Sequence, residues 1–176
     1  MSRPPTRTWG RWTRARAPRA AFELGRQAVE LAMTELVPHL GDPVDVQRRL
    51  EFAIAPEPEW TVLCYLDLET LKETPGGEPA PTVVDLKVKC SLLTQQQADS
   101  DPQAGIYLAG RWLETYPAEE LVFAQIAKPG KRRKQIGASL VSTTRTDGQL
   151  RGVLARLALA ASQIAACYER YGRDRP

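Results

Sequence analysis

Two short apolar segments, each with an acid set inside it, constrain this chain more than any other feature. The first is Cys64-Tyr65-Leu66-Asp67-Leu68-Glu69, and the second is Thr82-Val83-Val84-Asp85-Leu86-Lys87-Val88-Lys89. Both are rich in aliphatic, aromatic and β-branched residues and read as strands. Between them lies a strong turn signal, Thr74-Pro75-Gly76-Gly77-Glu78-Pro79, so the two segments form a hairpin-like pair. A carboxylate in an otherwise apolar strand loses hydration and needs a partner. A divalent cation held between Asp67 and Asp85 is the simplest one.

The remaining elements surround this pair. Residues 1–19 read as a basic, loosely attached arm, and residues 20–176 as a single domain. From Ala20 to about Leu40, Phe22, Leu24, Val29, Ala32, Met33 and Leu36 keep a helical rhythm, which Pro38 and Gly41 end. Val46 to Ala55 alternates as a strand. Asp101-Pro102 is a helix start, with Asp as the N-cap and Pro in the first turn, and the helix runs to about Tyr116. Glu120–Ala127 and Gln135–Arg145 are two further strands. Thr146-Asp147-Gly148-Gln149 matches a capping box. The helix it opens carries Leu150, Val153, Leu154, Leu157, Ala161, Ile164, Tyr168 and Tyr171 at helical spacing, which implies hard packing against a sheet. The order is α-β-β-β-α-β-β-α, an α/β fold with a central mixed sheet flanked by helices.

Composition narrows the class. The chain has 176 residues, enough for one real core, and its 43% hydrophobic content is ordinary for a globular protein. It has no run of eighteen apolar residues, so neither a membrane span nor a membrane partner is expected. Cys64, Cys90 and Cys167 are far apart and read as reduced, buried or half-buried thiols of a cytoplasmic protein. The net charge is only +3, yet the first twenty residues hold Arg3, Arg7, Arg11, Arg14, Arg16 and Arg19 and no acid. A second basic cluster, Lys128, Lys131, Arg132, Arg133 and Lys134, surrounds Pro129-Gly130. Such clusters suit a polyanion, because each contact with a phosphate releases counterions. A solvated tail and a solvated turn are the plainer reading.

Asp67 and Asp85 are suitable ligands for Mg²⁺ or Mn²⁺, hard cations that take oxygen. Lys87, two residues after Asp85, leaves the same face of the strand and can stabilise a phosphate oxygen or an attacking hydroxide. Of the six lysines, only Lys87 has an acid two residues before it. Chance gives about 0.7 such matches in a chain of this make-up, so the triplet alone is weak. The alternative is an Asp85–Lys87 pair on a solvated strand face. Gln103 and Tyr107, four residues apart, share one face of the downstream helix.

Together, Tyr-Leu-Asp-Leu (65–68), Val-Val-Asp-Leu-Lys-Val (83–88) and Asp-Pro-Gln-Ala-Gly-Ile-Tyr (101–107) resemble the PD-(D/E)XK nuclease superfamily, in particular its RecB-like phage and prophage exonuclease branch. The resemblance spans residues 20 to 171. It implies a restriction-endonuclease-like core and a metal-dependent deoxyribonuclease of recombination or repair, in the cytoplasm of a bacterial or phage-infected cell. DNA would be the partner, with room for a recombinase or a single-strand-binding protein, and the oligomeric state stays open. By that resemblance Asp67 and Asp85 are metal ligands with the Leu86 carbonyl as a third. Lys87 is the catalytic lysine, Gln103 orients the site or touches substrate, and Tyr107 supports it or contacts DNA, while Lys131, Arg132 and Arg133 of the basic turn are the expected contacts to the substrate backbone.

The chain departs from the family pattern on the first helix. A Gly-x-x-x-His pattern is usual there, but Val29 stands where the His would be after Gly25, and Glu30 or Glu23 would have to supply the carboxylate. Glu30 is the expected metal ligand. Cys64 replaces the usual Gly before Tyr-Leu-Asp. The cysteine cluster that some relatives carry at the C-terminus is missing, so Cys167 reads as core and no iron–sulfur cofactor is expected. His39, at the end of the first helix, reads as a dipole partner rather than a base. Two alternatives remain: a nuclease-fold DNA-binding or scaffold protein without catalysis, and a structural α/β protein whose acid–Lys triplet is accidental. The last requires Asp85 and Lys87 to face away from Asp67.

Overall fold

Thr82 to Asp85 are all buried, on both faces of their strand. A strand buried on both sides must lie inside a sheet covered by helices above and below. That is the arrangement seen in a computed structural model, which describes residues 17–56, 59–73, 76–130 and 135–172. The strands β1 (Asp42–Pro56), β2 (Glu59–Glu73), β3 (Pro79–Lys89), β4 (Glu120–Ala127) and β5 (Gly137–Thr144) form one sheet in the order β1-β2-β3-β4-β5. Only β3 and β4 are parallel, and the other neighbours are antiparallel. The parallel pair needs a crossover, provided by α2 (Gln95–Asp99) and α3 (Pro102–Trp112). With α1 (Ala17–Glu35) and α4 (Asp147–Tyr171), this is the mixed α/β sheet with flanking helices expected from the sequence.

Each sheet face has its own core. On one side Leu50, Phe52, Leu66, Val83, Leu121 and Phe123 meet Leu108 of α3 and Leu150 and Val153 of α4. Gly110 lets α3 come this close, since a Cβ there would lie 2.5 Å from the Phe52 ring and 2.7 Å from Leu50 Cδ2. On the other side Ala28 and Ala32 of α1, with Leu36 just after it, cover Val84, Val122, Ala124 and Ile126.

Several boundaries differ from expectation, each for a local reason. Ala17–Arg19 belong to the first turn of α1 rather than to the arm, and residues 1–16 lie outside the described residues. Two stripes on α1 have helical spacing. The sheet takes the one through Ala28, Ala32 and Leu36, which leaves Phe22, Val29 and Met33 exposed. The helix after Asp101 ends at Trp112, four residues early. α2 was not expected, although Thr94-Gln95-Gln96-Gln97 carries the same capping-box pattern as Thr146–Gln149, and both boxes form.

The long α4 packs on α3 and on β1 rather than across the sheet. Its last buried residue is Ala161, and Ile164, Cys167, Tyr168 and Tyr171 are exposed. Cys167 is therefore not core, and Cys90 is exposed as well. Among the described helices, α4 is long and apolar enough to cross a membrane by length and composition alone. Its N-terminal half holds Leu150 and Val153 buried against α3.

Candidate active site

The pairing of β2 with β3 runs from Glu73↔Pro79 to Leu68↔Val84 and stops there, although both strands continue. From Asp67 back to Glu59, β2 pairs only with β1, so the sheet opens into a fork. Asp67 stands at its apex. Its Oδ2 accepts a hydrogen bond from the Leu86 backbone N–H at 2.9 Å, replacing the ladder bond that the parted strands no longer make. In an extended strand the N–H and C=O of one residue point to the same edge. The Leu86 carbonyl therefore also faces the fork.

Asp85 and Lys87 leave β3 toward α3, on the face opposite Val84. There Asp101, the N-cap of α3, accepts from the backbone N–H groups of Gln103 (2.8 Å) and Ala104 (3.1 Å), which fixes the first turn of the helix. The Gln103 side chain is thereby aimed at the sheet. Its Nε2 donates to Asp85 Oδ1 at 3.1 Å and to the Tyr107 hydroxyl oxygen at 2.7 Å, while its Oε1 accepts from Lys87 Nζ at 2.6 Å. Lys87 Nζ also lies 2.7 Å from Asp85 Oδ2. That contact is an ion pair by distance only. No hydrogen bond of sound geometry reaches the buried Asp85 Oδ2, which has the Lys87 charge beside it and nothing more among the described residues.

The electrostatics follow from this geometry. Burial pushes the Asp85 carboxyl above the usual carboxylate range and Lys87 works against that shift, while the charges of Asp67 and Asp101 add to it. Burial also pushes the Tyr107 phenol up, against the bond from Gln103, so Tyr107 keeps its proton and can donate it onward. The cluster holds two carboxylates and one cation.

The fold thus gathers Asp67, Asp85, Leu86, Lys87, Gln103 and Tyr107 at one point. Glu30 does not join them. It is paired with Arg26 on the exposed side of α1, and α1 covers the sheet face opposite α3, so its expected place as a ligand is corrected. Glu23 is likewise paired with Arg26, at 2.7 Å. Lys131, Arg132 and Arg133 lie outside the described residues.

Two side chains at the site escaped the sequence reading. Gln47 Nε2 reaches Asp67 Oδ1 at 3.4 Å, and Gln47 is the described non-glycine residue with a left-handed backbone, φ 57°. Gln125 stands across from Lys87 in the β3–β4 register. It is buried, accepts the Leu93 N–H at 2.6 Å, and leaves its own Nε2 without a partner. A polar residue within an otherwise apolar β4, Glu-Leu-Val-Phe-Ala-Gln-Ile-Ala, was the signal available for Gln125.

Among the described residues, no group of three or more His, Cys, Asp and Glu side chains is placed to hold a metal ion. The oxygen set at the fork is Asp67, the Asp85 Oδ2 that takes no hydrogen bond and the Leu86 carbonyl. It fits a hard cation that keeps waters and takes one or two carboxylates, as Mg²⁺ does.

The same face carries a second ionic cluster. Arg111, buried on α3, meets Glu69 Oε1 at 3.0 Å, the Tyr116 carbonyl at 2.9 Å and the Glu114 carboxylate. Arg48 bonds Glu69 Oε2 at 2.5 Å and both Glu114 oxygens, at 2.8 and 3.0 Å. This latch ties β1 and β2 to the end of α3.

Neither a family model nor a curated protein matches the chain. Among solved structures, it is similar to a Eubacterium rectale protein named "Putative exonuclease", with a TM-score of 0.57 and 14% identity over 83% of this chain and 53% of that one. The two share a fold, and this chain spans about half the length of that protein.

Proposed function

We propose that the chain is a metal-dependent deoxyribonuclease of the PD-(D/E)XK type, acting as an exonuclease in phage or prophage recombination or in repair. One observation carries the reading: the buried Asp85 carboxylate has Lys87 as its one ammonium partner, lies within the field of Asp67, and keeps its Oδ2 without a hydrogen bond. The cluster is one positive charge short. Asp67, Asp85 Oδ2 and the Leu86 carbonyl would hold Mg²⁺ or Mn²⁺, which supplies an acidified water and neutralises phosphate oxygens.

The chain's own groups do the rest. Lys87 Nζ, held by Gln103 Oε1, presents a compact positive charge where a phosphate oxygen gains negative charge during attack. Gln103 locks Lys87 and Asp85 in one geometry, so little reorganises as the reaction proceeds. Tyr107, protonated and half-bonded, is free to donate to a substrate oxygen. In the hydrolysis, water oxygen bonds to phosphorus while the bond to the leaving sugar oxygen breaks, and that oxygen departs with a proton. The fold shared with the exonuclease-named protein is consistent with this reading.

The test is digestion of linear, nicked and circular DNA in Mg²⁺, Mn²⁺ or EDTA, comparing wild type with Lys87→Ala. Metal-dependent loss of linear DNA that drops by about 10²–10³-fold in the variant is the expected result. The circular lane separates exonuclease from endonuclease action. A second reading, a nuclease-fold DNA-binding protein without catalysis, is favoured by the absence of Glu30 from the site. DNA bound but uncut in either metal establishes that reading instead.

A further inference from the structure

We propose that this site works on single-stranded nucleic acid, held by an apolar lip on the sheet face that α1 leaves uncovered. The inference rests on the nuclease reading for what happens at the fork, but its own observations lie beside it.

Alternation along the strands puts Val62, Cys64 and Leu66 of β2 into the core under α3, and Asp85 and Lys87 of β3 toward the same helix. The intervening Leu63 and Tyr65 of β2, and Leu86 and Val88 of β3, therefore share the opposite face. There α1 covers Val84 and β4, but it reaches none of these four. Leu63 and Tyr65 are each 51% exposed, Leu86 and Val88 each 54%. Isolated exposed aliphatics need no explanation, but four on one sheet face, two on each lip of the fork beside Asp67, concentrate apolar surface at the site.

Positive charge lies at the same end. Lys89 follows Val88 and is exposed, and its carbonyl accepts the backbone N–H of exposed Lys128 at 2.8 Å. Neither lysine forms an ion pair among the described residues. Across from Tyr65 in the β1–β2 register stands Arg49, whose charge is shared with Glu51 on the same face. An aromatic ring and aliphatic side chains beside unpaired lysines suit a polymer with phosphates on one side and apolar faces on the other. An unpaired strand offers both, since its bases can lie on the ring while its phosphates meet the lysines. A duplex hides its base faces in the stack and would leave the apolar lip with nothing to cover it.

The experiment measures binding of the full chain, in EDTA, to a fluorescein-labelled single-stranded oligothymidylate and to a hairpin duplex of equal length. Tyr65→Ala should weaken single-strand binding about tenfold, the scale of one base-stacking contact, and shift duplex binding by less than about twofold. Tyr65→Phe, which keeps the ring, should bind as wild type. Because these side chains are exposed, the variants should melt with the wild type, and a melting curve checks this. Equal losses on both probes, or no loss, overturn the proposal. So does a fall in molecular mass by light scattering with binding unchanged, which would mean that the lip joins two copies of the chain. Cutting is scored separately in Mn²⁺. A wild type that cuts nothing defeats the nuclease reading, whereas a selective loss of strand binding in Tyr65→Ala still upholds this one.

Discussion

β2 gives one acid to each of two ionic clusters that α3 also joins, and the clusters differ in one respect that separates scaffold from site. The latch has two guanidinium groups and two carboxylates, and each of its four carboxylate oxygens receives a donor. The fork has two carboxylates and one ammonium, and Asp85 Oδ2 receives none. Asp67 and Glu69 are only two residues apart on β2, so local sequence does not distinguish them. The latch balances its charges internally, although it lines a cavity with Leu71, Pro79 and Pro81 and leaves the buried Arg111 Nε without a hydrogen bond. At the fork Asp85 is paired with Lys87 but its buried Oδ2 takes no hydrogen bond, and a buried acceptor left so is costly.

The largest expected effect is on the latch. Arg111→Met leaves Glu69 buried beside a single partner and Glu114 half-paired, so it should cost about 3–5 kcal/mol in urea unfolding, with no added sensitivity to divalent cations. If the loss is below about 1 kcal/mol, the latch is not a closed unit and the contrast with the fork fails.

A smaller effect sharpens the other half of the comparison. Mn²⁺ at roughly one hundred times its Kd should stabilise the wild type by about 2.7 kcal/mol, read as a higher melting temperature. Asp85→Asn should abolish that gain while leaving the latch intact. A cation response that survives in Asp85→Asn would place the ion elsewhere.

The smallest effect is a change of slope with pH, measured with chelator present. Burial raises the folded-state affinity of Asp85 for a proton above that of the unfolded chain. The stability from this group is therefore fully present below the unfolded carboxylate value, about 3.9, and is lost as pH rises through the raised folded value. Asp85→Asn removes that dependence, so the variant should gain on the wild type as pH rises across that window. Parallel curves would mean that Lys87 fully compensates the burial.

Much of the scaffold could be read in advance. The Thr146–Gln149 box and the Asp101-Pro102 start were legible because capping joins residues two or three apart. The Thr94–Gln97 box follows the same rule and was equally readable. Asp67, Asp85, Lys87, Gln103 and Tyr107 were legible for a related reason. Strand alternation fixed which residues share a face, and the helical spacing of Gln103 and Tyr107 fixed the other wall.

The places of Glu30, Gln47 and the latch were not legible, whereas Gln125 left a signal that went unread. Helical periodicity shows that α1 has an apolar stripe but not which sheet face it covers, and that choice removed Glu30 from the fork. The partners of Arg48 and Arg111 lie 66 and 42 residues away in sequence, so strand register and the landing of α3 decide them. The sequence by itself determined the order of elements, their caps and the pair of acids set in apolar strands, because those depend on short-range sterics and hydrogen bonding. Only the tertiary structure decided that β2 parts from β3 at Leu68, that Asp67 then faces Leu86, and that one cluster closes while the other stays a charge short. Strand parting and ion pairing are settled by which surfaces pack together, and packing is a property of the whole chain.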